Sequence, residues 1–83
     1  MYAQQLYNGG DHYGTRYYVN NNTNTYVCVY VTPDISNNVT GSVQYRTQLN
    51  QGETNIAIGE YVRAANTAWE THVRYTWEAG QCH

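Results

Sequence analysis

From Trp69 to Trp77 the chain alternates without a break: Trp69, Thr71, Val73, Tyr75 and Trp77 share one side, and Glu70, His72, Arg74, Thr76 and Glu78 share the other. Side chains two apart share a face only in an extended strand, so this pattern predicts an amphipathic strand with one face buried. The same period runs through residues 26–31, where Val27, Val29 and Val31 lie on one face and Tyr26, Cys28 and Tyr30 on the other. Bulk on both sides places that strand at the centre of a sheet, ending at a turn over Thr32-Pro33-Asp34. Residues 42–49 read as a half-buried strand, with Val43, Tyr45 and Thr47 alternating against Gln44, Arg46 and Gln48. Asn50-Gln51-Gly52 then supplies a turn, and residues 53–59, with Thr54, Ile56 and Ile58 on one side, read as the returning strand of a hairpin. Weaker strands are expected over residues 3–7 and 15–19, on either side of the Gly9-Gly10-Asp11 turn. Across residues 60–69, Tyr61, Ala64, Ala65, Ala68 and Trp69 fall at helical spacing, so a short helix competes with a strand there.

About six strands punctuated by Gly, Pro and Asn turns predict a single all-β domain over residues 1–83: a small antiparallel β-sandwich, Ig-like or barrel-like. The core must be unusual in composition. Val, Ile and Leu contribute 13 of 83 residues and Phe none, while Tyr contributes ten. So few aliphatics accompany disorder when net charge is high, but here the charge is −2 and aromatics make up 14%, which favours a folded chain built on Tyr, Trp and Val. The run from Asn20 to Thr25 is turn chemistry, because Asn enters left-handed conformations and bonds its own main chain.

Two cysteines, Cys28 and Cys82, in a small Lys-free domain predict one disulfide, pinning the C-terminal tail to the central strand, and an oxidising compartment. The expected location is secreted, extracellular or on a particle surface. No apolar run approaches the roughly 18 residues of a membrane span, and no signal-peptide pattern stands at Met1. The four cations are all Arg (Arg16, Arg46, Arg63, Arg74), too few to neutralise a phosphate backbone, so nucleic acid is not an expected partner.

Little points to catalysis. His12, His72 and His83 lack the paired short spacings of a structural zinc site, and loop or terminal positions account for them, so no metal is assigned. Asp11, Asp34, Glu53, Glu60, Glu70 and Glu78 supply carboxylates, but acid–base chemistry needs a concave, desolvated site for which so small a domain has little room. No nucleophile elbow, triad order or phosphate loop is present, and no cofactor is expected. The sequons Asn21-Asn22-Thr23 and Asn38-Val39-Thr40 suit exposed loops but arise readily in an Asn/Thr-rich chain.

What remains is a vocabulary of interfaces. Ten Tyr, two Trp, four Arg and no Lys match the enrichment of protein–protein contacts, although part of the Tyr content is needed for the core. The expected contact residues are Tyr13, Arg16, Tyr17 and Tyr18, read as one loop-flanked patch, with Trp69 and Trp77. Sheets usually guard their edges with Lys, Pro or inward charges; one Pro and no Lys leave an edge open to strand addition. In size, strand count and a Cys near its C-terminus the chain is similar to the small secreted streptomycete α-amylase inhibitors, six-stranded sandwiches. It departs from them where Thr15-Arg16-Tyr17 stands against that family's Trp-Arg-Tyr, and in having one disulfide where they have two. Two functions follow as expectations. One is a self-assembling structural subunit acting by protein–protein contact, and the other a recognition module for a glycan or a hydrolase.

Overall fold

The computed structural model describes residues 1–65 and 67–83. Among them are seven strands: β1 (Tyr2–Asn8), β2 (Asp11–Val19), β3 (Val27–Asn37), β4 (Val39–Val43), β5 (Arg46–Leu49), β6 (Ile56–Arg63) and β7 (Glu70–Ala79). They form a four-stranded sheet of order β1-β2-β6-β4 and a three-stranded sheet of order β5-β3-β7, antiparallel throughout. Tyr17, Val19, Ile58 and Tyr61 of the first sheet pack on Val27, Val29, Val31, Leu49 and Val73 of the second. This makes the all-β antiparallel sandwich expected from the alternation, but the core is mainly aliphatic rather than built on Tyr, Trp and Val: of the ten Tyr only Tyr17 and Tyr61 join it, and neither Trp does, Trp69 being half-buried and Trp77 exposed.

Three further expectations are corrected. Residues 42–49 do not form one strand in a hairpin with 53–59. The run divides at Gln44–Tyr45, so that β4 pairs with β6 in one sheet and β5 with β3 in the other. Gln44 N–H donates to Ile58 O and Tyr45 O accepts from Val31 N–H, both at 2.8 Å, so the backbone stays bonded as it rounds the corner. This corner closes one side of the sandwich. Gly59 permits it: φ is +148° and a Cβ there would strike the Ser42 carbonyl of β4. The short helix across 60–69 is absent from the described part of that segment, where β6 continues to Arg63. Within β6, a bulge against β2 at Tyr17/Tyr18 moves the inward-facing positions from even (Ile56, Ile58) to odd (Tyr61).

Third, β3 does not turn at Thr32-Pro33-Asp34 but runs on to Asn37, with the register shifting between Pro33 and Ile35. Pro is tolerated there because β5 pairs with β3 only from Val27 to Tyr30, so Pro33 lies on an unpaired edge beside a bulge. The reversal comes at Asn38, φ 58°, in the left-handed region that Asn tolerates.

The segment between β2 and β3 crosses from one sheet to the other around a buried amide. Asn21, 1% exposed, donates from Nδ2 to the carbonyls of Thr25 (2.8 Å), Asn50 (2.9 Å) and Leu49 (3.4 Å). Its Oδ1 accepts from Thr23 N–H and Oγ1–H. The sequon at Asn21 is therefore closed to modification, whereas Asn38 is exposed.

Candidate functional site

The side opposite the corner is open. Tyr17 OH lies 3.4 Å from Thr71 Oγ1, so β2 sits over β7, and β1, one place further out, overhangs it. The burial of inner faces follows this offset. Thr15, Tyr17 and Val19 of β2 are buried, while Ala3 and Gln5 of β1 are exposed. Leu6, the one buried residue of β1, belongs to the outer face, where it lies against Gly14.

On β7 the predicted face is correct, but only part of it is covered. Val73 is buried and Thr71 half-buried, while Tyr75 and Trp77 are 48% and 60% exposed on the same side. They stand opposite Val31 and Val29 across the ladder, beyond the reach of the upper sheet.

Two hollows line this open side and meet at Met1. The larger, about 830 Å³, lies between the β1 edge and the start of β7 and takes in Gln5, His12, Thr15, Trp69 and the Asp11–Arg63 pair. Several of its polar groups are engaged with one another. His12 Nε2–H donates to Gln5 Oε1 (2.6 Å) and Gly14 O (3.0 Å), Thr15 Oγ1–H donates to Gln5 Oε1 (3.0 Å), and the Trp69 ring sits edge-on to His12 at 4.7 Å. Arg63 Nη1–H donates to Asp11 Oδ1 at 2.8 Å, and this hydrogen bond holds the Asp11 carboxyl below the ordinary range. The smaller hollow, about 200 Å³, is more apolar and is bounded by Val19, Val27, Val29, Tyr75 and Trp77.

The six expected contact residues do not form one patch. Tyr17 is corrected outright: at 6% exposure it is a core side chain, edge-on to Tyr61 with ring centroids 6.4 Å apart. Strand alternation sends its neighbours to the opposite surface. Arg16 bonds Glu60 there (Nη2 to Oε1, 3.0 Å), and Tyr18 stacks on Tyr2 at 5.0 Å. Tyr13 is half-buried at one end of the sheet, in a separate hollow with Tyr7 and Arg63. Trp69 and Trp77 do reach the open side, at its two ends. Sequence reasoning missed Ala3, Gln5 and Tyr75 as its other surfaces; the clue was an uncharged β1 next to a Gly-Gly turn.

The disulfide forms as expected between Cys28 and Cys82, with Cα atoms 5.0 Å apart. It carries the tail across the outer face of β3 towards β5, where Cys82 N–H donates to Gln48 Oε1 and Arg46 bonds His83 O. β7, on the other side of β3, ends the three-stranded sheet. Among the described residues no helix is long and apolar enough to cross a membrane, and no three His, Cys, Asp or Glu side chains converge as metal ligands. No family model, curated protein or solved structure matches this chain.

Proposed function

We propose that the protein acts by contact with other protein chains, without catalysis, as a self-assembling structural subunit outside the cytosol. The observation that carries this reading is β1. It is an edge strand of seven residues, Tyr2–Asn8, with neither a charge nor a proline, the devices by which sheets ordinarily discourage edge-to-edge pairing. β7 is the edge of the other sheet on the same open side, and its exposed aromatics suit a protein interface. Free main-chain groups supply affinity in strand addition and alternate side chains supply selectivity. The disulfide fits an oxidising compartment.

The test is solution mass by size-exclusion chromatography with light scattering, over a wide concentration range without reductant. Mass above the 9.5 kDa of one chain that persists on dilution is expected; a monomer throughout would refute self-assembly. A second reading, a recognition module for a glycan, draws on the larger hollow, where Trp69 stands among Gln5, His12, Asp11 and Arg63. A sugar panel that shifts Trp69 emission in a Trp77→Phe background would support it, and silence across the panel would remove it.

A further inference from the structure

We infer that the open side is completed by a second copy of this chain, with β1 of each protomer adding to β7 of the other about a two-fold axis parallel to the strands. This rests on the self-association proposed above and specifies its geometry. β1 is antiparallel to β2, β2 to β6 and β6 to β4; β4 continues through the corner as β5, which is antiparallel to β3, as β3 is to β7. Following the chain of pairings, β1 and β7 run in opposite directions in one protomer. A two-fold along the strands preserves direction and exchanges the sheets, so β1 meets the partner's β7 antiparallel.

Shape points the same way. The upper sheet projects by one strand over the lower, since β2 lies on β7. Inverting a second copy places its recessed β7 beside the projecting β1, and the converse occurs at the other junction. Each sheet then becomes seven strands, β4-β6-β2-β1 of one protomer continued by β7-β3-β5 of its partner. Pairing like with like, β7 to β7, would instead drive each overhanging β1 into the partner's β2.

Chemistry agrees with the fit. Ala3 and Gln5 of β1 and Tyr75 and Trp77 of β7 line the inner faces that are exposed in a single chain, and the pairing encloses all four. β1 is uncharged, so it meets Glu70, Arg74 and Glu78 on the outer face of β7 without like-charge opposition. The interface is self-complementary and uses both open edges, so assembly closes at two protomers.

The test compares wild type with Ala3→Glu and Trp77→Glu, both at exposed positions, and with Arg16→Ala on the outer face as control. Wild type should run at twice the mass of one chain and rise no further with concentration. Ala3→Glu and Trp77→Glu should each weaken dimerisation by roughly 30-fold or more, since each encloses an unpaired carboxylate and the second also removes a large aromatic, with circular dichroism unchanged, while Arg16→Ala should dimerise normally. In a Trp69→Phe background, Trp77 emission should shift to the blue as concentration rises through the dimer transition. If wild type self-associates but ignores Ala3→Glu and Trp77→Glu, or grows beyond two copies, this pairing is wrong while self-assembly stands. If wild type remains a monomer, both fail, and a strand of a different protein becomes the occupant to seek.

Discussion

Asn21 shows how far one side chain in this fold can outweigh its type. In sequence it is one Asn in a polar run. In the structure a single amide caps three main-chain carbonyls from two different segments and fixes the Thr23 turn with its oxygen. Asn21→Ala removes the buried amide that joins these carbonyls; Thr25 O keeps the Thr23 hydroxyl and Asn50 O keeps Glu53 N–H, but the tie between the two segments and the packing of the amide are lost. The expected loss is about 3 kcal/mol, read as a lower urea midpoint at unchanged m-value. The neighbouring Asn22→Ala, at an exposed position, should change the midpoint little. Tyr17 carries the same lesson. Its type and its neighbours Arg16 and Tyr18 suggest a contact patch, yet alternation sets it on the face opposite theirs, and the packing of the two sheets makes that face the inner one.

At the scale of elements, strand type was legible and strand partnership was not. The faces of β3 and β7 follow directly from period two, because steric alternation is a property of any extended backbone. The pairing of 42–49 did not, since a hairpin with 53–59 and a corner shared between two sheets require the same alternating residues. Bulges at Tyr17/Tyr18 and Leu6/Tyr7 shift register without a distinctive local sequence, and Pro33 beside the third reads equally well as a turn. The Asp11–Arg63 pair ties the start of β2 to the end of β6. Asp11 has a folded pKa below its unfolded one, so its contribution to stability is present above the unfolded value and is lost as pH falls through the folded one. Asp11→Asn should therefore flatten the acid limb of a stability–pH curve while changing neutral-pH behaviour little, as expected of an exposed pair. An acid limb identical to wild type would show that the pair is not formed in solution.

For the whole molecule, the disulfide and the open side together set how much stability one chain can hold. A domain of this size buries a modest share of its surface, and here part of the lower sheet's inner face is left bare. Closing a loop of 54 residues' separation restricts the unfolded chain by roughly 4 kcal/mol in the chain-entropy model. Reduction, or Cys28→Ala with Cys82→Ala, should lower the urea midpoint by a corresponding amount; an unchanged midpoint would show that the covalent link contributes nothing beyond the packing of the tail. The all-β class, the amphipathic faces and the cysteine pair were determined by the sequence, because each depends on local alternation or on residue chemistry. The corner between the sheets, the hub at Asn21 and the overhang of β1 above β7 were decided only in three dimensions. They depend on which strands meet, and that is chosen by the packing of distant segments against one another.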